Sequence, residues 1–238
     1  MTDSKKNQLE KAFHLLFLCI ALGNLTGRIL LSETLDLITK PLLMPVLILI
    51  FYMSIKANFN TFSKFIFSAL FFSWLGDIFL MFNGQLFFIF GLLSFLIAQI
   101  NYIFAYRTSV SGHQSKTILQ KKPYLYLPFI LYITLFYGTL YPHLEFALKI
   151  PVVVYSICLI LMGIFALNRY QLVSMDSFLQ VLIGACLFII SDSVIALNKF
   201  LFSFYLSGFV IMLTYILAQY LIVMGCIAQL NPKKKVYS

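Results

Sequence analysis

Long apolar stretches alternate with short polar breaks along the whole chain. Eight of them, near positions 12–31, 36–55, 63–82, 86–106, 124–141, 146–167, 178–197 and 201–228, approach or exceed the roughly 17 to 25 residues a bilayer-spanning helix needs. Each predicts an α-helix, because backbone N–H and C=O groups in lipid find no water and must be satisfied within their own segment. Asn83-Gly84 and Asn198-Lys199 read as polar breaks between helices. The longest connection, Arg107 to Lys122, contains SVSGHQSK and reads as a solvent-facing loop. The expectation is an all-α membrane protein with eight transmembrane helices, a single polytopic domain over residues 1–238. No segment leaves room for a soluble domain, so any chemistry happens in the bilayer or at its surface.

Composition agrees: 61% of the 238 residues are hydrophobic and 11% charged, against about 25% charged in a soluble domain. The net charge of +9 does not point to nucleic acid, because the basic residues lie between apolar runs and form no single face. They read as topology signals and as contacts to anionic lipid headgroups. Thirteen of the 17 fall on one side: Lys5, Lys6, Lys11, Lys56, Lys64, Arg107, Lys116, Lys121, Lys122, Arg169, Lys233, Lys234 and Lys235. Arg28, Lys40, Lys149 and Lys199 fall on the other. The positive-inside rule then makes both termini cytoplasmic, as in a protein of the bacterial inner (cell) membrane. Residues Ala12 to Leu31 follow a charged start and lack a small-x-small cleavage site, so they read as a first helix and not a removable signal.

Two carboxylates interrupt this lipid-like pattern. Asp77 lies inside FIFSALFFSWLGDIFLMF, Phe65 to Phe82, and Asp192 lies inside the seventh run. An ionised aspartate near the centre of a membrane helix costs about 2.5 to 3.5 kcal/mol on insertion scales, so such residues face the bundle interior and usually act there. Counted from the cytoplasmic ends, each is about fourteen residues along its helix, roughly 21 Å at 1.5 Å per residue. The two carboxylates are therefore expected at one level, in the outer half of the bilayer, with Lys40 in the same half.

Helical spacing puts partners beside them. Ser73, Gly76, Asp77 and Leu80 share one face of the third helix, and Gly184, Phe188, Ser191 and Asp192 share one face of the seventh. Small residues beside each Asp permit close helix approach or leave room for a ligand. The fourth helix carries a stripe of Gly91, Ser94, Phe95, Ala98, Gln99 and Tyr102, and the eighth one of Ser207, Thr214, Tyr215, Ala218, Gln219 and Ile222. These stripes supply amides and hydroxyls, for a substrate or for plain interhelical bonds.

A weak internal repeat relates the halves, about 12–106 and 124–228. A shift of 115 residues lays Asp77 on Asp192, one of 120 lays Gln99 on Gln219, and one of 110 lays Lys40-Pro41 on Ile150-Pro151. Four helices per half would make the repeat parallel.

Other chemistry is thinly represented. Cys19, Cys158, Cys186 and Cys226 all sit in apolar runs without CxxC spacing and read as small core hydrophobes. His14, His113 and His143 are scattered over three regions, too dispersed for the ligand set of a zinc site. No P-loop, GxSxG or HExxH pattern is present, and no cofactor is implied. Lys40 reads either as a partner for phosphate or for an Asp, or as a lysine snorkelling to the interface. Arg28, Glu33 and Asp36 read as solvated. Two buried carboxyls that share a proton can work as general acid and general base. The same pair also suits a proton relay in a transporter, or helix packing alone.

The residues resemble the lysoplasmalogenase-like membrane proteins, the YhhN family. The likeness is carried by Lys40-Pro41, Gly76-Asp77 within LGDIFLM, Gly91 with Phe95 and Tyr102, Pro151 with Tyr155, Gly184-Ala185 with Phe188 and Ser191-Asp192, and Tyr215 with Ala218-Gln219. The resemblance implies hydrolysis of the vinyl ether bond of a lysoplasmalogen, with a membrane lysophospholipid as substrate and fatty aldehyde and a glycerophospho-base as products. It implies Asp77 and Asp192 as the catalytic pair, with Lys40, Gln99, Tyr102, Tyr155, Ser191, Tyr215 and Gln219 in binding or supporting roles. The other reading of the same pair is a proton-coupled transporter or lipid-handling protein. One position departs from the expected family pattern: Gln99 stands where the resemblance leads us to expect a histidine, and a neutral amide shuttles no protons.

Overall fold

The computed structural model describes residues 3–55, 59–112 and 115–231. Eight long helices follow one another: α1 (Asp3–Ile29), α2 (Glu33–Ile55), α3 (Thr61–Phe79), α4 (Gln85–Val110), α5 (Leu127–Leu140), α6 (Phe146–Leu167), α7 (Met175–Phe200) and α8 (Ser207–Leu230). With its flanking 3-10 turns, α5 forms a span over Pro123–His143, and all eight are long and apolar enough to cross a membrane. Lys56, His113 and Lys233 to Lys235 lie outside the described residues.

Local chemistry sets the helix ends. Asn60 caps α3 by accepting from the Ser63 N–H at 3.0 Å while the Ser63 hydroxyl accepts from the Asn60 N–H at 2.8 Å, a reciprocal capping box. Gly84, at φ 119°, makes the turn into α4 that an L side chain resists. Three expectations shift. Asn198 and Lys199 do not break the chain but form the last turn of α7, where a lysine suits the negative end of the helix dipole. The break comes after them, where the amides of Leu201 and Phe202 both bond the Leu197 carbonyl, and α8 begins only at Ser207. Residues 201–206 are apolar but for Ser203, which made the last span look longer. The loop after α4 starts at Ser111, not Arg107.

α3 packs along α4 and α7 along α8, with α1, α2 and α6 completing the bundle; α5 lies at its edge, touching α6 and α7. Absent side chains explain the close pairs. A methyl group at Gly76 would come within 2.6 Å of the Phe95 ring, and one at Gly184 within 2.8 Å of the Ala218 carbonyl. The core contains Leu43, Leu47, Ile66, Leu70, Phe188 and Ile222. Of the cysteines only Cys226 is buried in it, while Cys19 and Cys186 are exposed on the outside of the bundle, so the expectation of four core cysteines fails. A thiol behaves as a small hydrophobe and so is compatible with lipid as well as with a protein core.

At the end of the bundle that carries the termini, Arg169 is fully buried. Its guanidinium donates to Ser177 Oγ at 2.7 Å, Gln229 Oε1 at 2.6 Å and Ser109 Oγ at 3.2 Å, tying α4, α7 and α8 together. Burial strips solvent from the guanidinium and moves its pKa below the usual value. The place of Arg169 between two apolar runs reads as a topology charge, whereas the fold makes it a buried tie between helices.

Candidate functional site

The two aspartates meet at the other end of the bundle. Asp77 follows the first residue of α3 by 16 positions and Asp192 that of α7 by 17, and both line one cavity of about 770 Å³. Lys40, Ser191 and Tyr215 line it as well. Asp77 is 2% exposed and Asp192 7%, so neither charge has more than a sliver of solvent.

Each carboxylate is held by a tyrosine. The Tyr215 hydroxyl on α8 donates to Asp77 Oδ2 at 2.8 Å. The Tyr155 hydroxyl on α6 donates to Asp192 Oδ2, which also accepts from Gln99 Nε2 at 3.2 Å. Behind Tyr215, Gln219 donates to Ser73 Oγ at 3.0 Å and accepts from the Tyr102 hydroxyl at 2.6 Å. Neutral donors thus converge on the two acids, as buried carboxylates require. Phe95 fills the space between them, edge-on to Phe188 at 6.2 Å and to Tyr215 at 5.9 Å.

Cations gather on the same cavity. Lys40 is buried, 6% exposed, and lines this cavity together with Asp77; among the described residues no carboxylate pairs with it directly. Its burial sets aside the snorkelling reading. Arg28 reaches in from the end of α1 and pairs with Asp36 at 2.8 Å, so these two residues, expected to be solvated, form a half-buried ion pair. The Arg28 Nε is buried and has no hydrogen-bond partner among the described residues. Glu33 is exposed as expected. Lys199 completes the set, its ammonium 5.2 Å from the Phe88 ring centroid. Lys199 follows Asp192 by seven residues, two turns up the same helix face.

A second void adjoins the first. A narrow, almost wholly apolar slot of about 50 Å³ runs between α4, α5, α6 and α7, lined by Leu92, Phe136, Val152, Leu159 and Ala196 among others. Asp192 and Tyr155 supply its polar end.

Of the expected site residues, Asp77, Asp192, Lys40, Ser191 and Tyr215 come together on the polar cavity and Tyr155 on the slot. Gln99, Tyr102 and Gln219 stand behind them, fully buried, and reach the carboxylates directly or through Tyr215. Ser191 also donates to the Ile211 carbonyl at 3.1 Å, fixing α7 against α8. Arg28, Lys199 and Phe95 as a cavity wall were missed as a group.

Fold and cavity define a polytopic integral membrane protein with two buried carboxylates facing one amphipathic cavity. The chain belongs to the YhhN family, whose model matches residues 35–226. It is similar to lysoplasmalogenase TMEM86A of Bos taurus, 34% identical over 170 residues that cover 70% of this chain and 67% of the relative. It is 33% identical over the same length to lysoplasmalogenase TMEM86A of Homo sapiens, again over 70% of this chain and 67% of the relative. No solved structure matches it significantly.

Proposed function

We propose that the protein is a membrane hydrolase that cleaves the vinyl ether bond of lysoplasmalogens by carboxylate acid/base catalysis at Asp77 and Asp192. The observation that carries this reading is the pair itself: two buried, tyrosine-held carboxyls on one cavity whose rim also bears Arg28, Lys40 and Lys199. Vinyl ether hydrolysis needs a proton delivered to carbon and a water activated against the resulting oxocarbenium ion. One protonated and one ionised carboxyl supply both. The cations suit a phosphate, and the named relatives support the substrate class. Tyr155, Gln99 and Tyr215 orient the carboxyls, while Tyr102, Gln219 and Ser191 hold those groups in turn.

By the positive-inside rule the cavity opens on the outer side of a bacterial inner membrane, with both termini cytoplasmic. The test is aldehyde release from lysoplasmenylethanolamine by the detergent-purified protein beside Asp77→Asn and Asp192→Asn. Each variant is expected to lose roughly a hundredfold or more in turnover, the usual weight of general acid–base catalysis, while keeping its helical circular dichroism. Full turnover in either variant overturns the paired-carboxylate mechanism.

A further inference from the structure

Asp192 stands on the wall between two voids, and Asp77 faces one of them. The polar cavity and the apolar slot share Leu80, Phe88, Phe95, Asp192 and Ile195 as lining. Arg28, Lys40, Lys199 and Asp77 line the polar cavity and not the slot; Leu92, Val152 and Ala196 line the slot and not the cavity. A molecule that is charged at one end and hydrocarbon at the other can lie across this wall in one direction only.

We propose that the slot takes the first carbons of the substrate's alkenyl chain while the polar cavity takes its phosphate, and that this register makes Asp192 the proton donor and Asp77 the base that activates water. The inference rests on the vinyl ether hydrolase reading and adds the direction in which the lipid lies. In R–CH=CH–O–R′ the carbon bearing R receives the proton, and the carbon bonded to oxygen receives water. With R in the slot and R′ toward the cations, the first carbon lies at Asp192 and the second faces the void that Asp77 lines.

The steps balance with water as the single co-reactant. The Asp192 O–H bond breaks, its proton forms a C–H bond with the π electron pair, and the ether carbon becomes an oxocarbenium ion. Water adds to that carbon as Asp77 takes one of its protons, giving a hemiacetal. Asp77 then returns the proton to the glycerol oxygen as the C–O bond breaks, and the Asp192 carboxylate takes the hemiacetal hydroxyl proton. Aldehyde and glycerophospho-base leave with both carboxyls reset.

The bonding around Asp192 suits the donor role. Tyr155 and Gln99 both donate to Oδ2, and Oδ1 takes no bond from the described residues, so Oδ1 is the oxygen open to the substrate. When the proton leaves, the two donors already in place stabilise the carboxylate that forms, with no reorganisation.

The slot is tested by chain selectivity. Ala196→Leu narrows it one helical turn from Asp192, and Leu92→Ala widens it. The ratio of kcat/KM for long-chain lysoplasmenylethanolamine to that for its propenyl analogue is expected to fall roughly tenfold in Ala196→Leu, the scale of a methylene-sized clash in an apolar pocket. In Leu92→Ala, kcat/KM for a chain methyl-branched beside the vinyl group is expected to rise relative to the straight chain. Selectivity unchanged in both variants overturns the slot.

The roles are tested by rescue. Azide, adding in place of water, is expected to restore vinyl ether consumption to Asp77→Ala and not to Asp192→Ala; rescue of Asp192→Ala alone overturns the assignment. If the wild type releases no aldehyde from either substrate, the hydrolase reading fails by itself. The slot then stands or falls on binding: calorimetric affinity for long-chain lysophosphatidylethanolamine drops about tenfold in Ala196→Leu if the slot holds the chain, and stays level if it does not.

Discussion

The indole N–H of Trp74 on α3 donates to the backbone carbonyl of Pro41 on α2 at 2.9 Å. That carbonyl would ordinarily accept from the N–H of residue 45, but residue 45 is a second proline and has none. The bond thus satisfies a group orphaned by the Pro41/Pro45 pair and fixes α2 against α3, one residue from Lys40 and three from Asp77. Trp74→Phe keeps the ring and removes the donor. Leaving a buried carbonyl unpaired costs about 1 to 3 kcal/mol. The expected result is a lower thermal midpoint by circular dichroism together with reduced turnover, since the Lys40 segment loses its anchor. Unchanged values for both would mean that lipid or water satisfies the carbonyl.

Lys40 and Lys199 line the same cavity but differ in what else they touch. Lys40 is a buried cation on the cavity that Asp77 lines, where charges are little screened, whereas Lys199 sits two turns above Asp192 against Phe88. Removing a group that only holds the phosphate raises KM, and removing one that also acts on the reacting acids lowers kcat. Lys199→Met is therefore expected to act mainly on KM, and Lys40→Met on both constants. Steady-state kinetics on lysoplasmenylethanolamine separate the two.

Tyr155 and Tyr215 each give one hydrogen bond to a carboxylate. A bond to a charged group is worth about 1.5 to 3 kcal/mol, so Tyr155→Phe is expected to lower kcat by roughly tenfold to a hundredfold. Asp192 keeps a second donor, Gln99, whereas Tyr215 is the single side-chain donor to Asp77 among the described residues. Tyr215→Phe should cost at least as much, and Tyr155→Phe combined with Gln99→Leu should cost more than either alone.

Gln99 also bears on the departure from the expected family pattern. Its amide reaches Asp192 at 3.2 Å, so it works as a fixed donor without carrying protons. Gln99→His is expected to preserve turnover near neutral pH and to add a pH dependence of kcat that the wild type lacks, since an imidazole takes and gives protons and an amide does not. A pH–rate profile of the two proteins checks this.

The eight spans and the inward faces were legible because membrane helices must be apolar throughout, which leaves every buried polar residue conspicuous. Asp77, Asp192, Gln99 and Gln219 all stood out in this way and all lie in the core. Residues 201–206 misled because a largely apolar loop has the composition of a helix. Arg28 and Lys199 were passed over for a different reason. Charges near helix ends are usually solvated, and only the fold brings the end of α1, the end of α7 and the start of α8 around one cavity. The slot was illegible altogether, since its walls are ordinary lipid-compatible side chains from α4, α5, α6 and α7 and nothing in their spacing marks a void.

Arg169 makes the last prediction because it separates stability from chemistry. It lies at the end of the bundle away from the cavity, where it joins Ser109, Ser177 and Gln229 while its guanidinium covers the Tyr106 ring at 5.5 Å. Arg169→Leu removes the donor to all three, with Ser109 and Ser177 keeping only their own bonds to the Tyr106 and Gly225 carbonyls, and each lost bond to a charged group is worth about 1.5 to 3 kcal/mol. Lysine cannot replace the planar fork that reaches three partners at once, so Arg169→Lys should also lower the thermal midpoint, by less. Turnover per folded molecule is expected to survive in both, because no hydrogen bond of this cluster reaches Asp77 or Asp192. If turnover instead fell while the thermal midpoint held, the packing of α7 and α8 would have to carry the effect along their length to Asp192 and Tyr215, and the two ends of the bundle would be coupled.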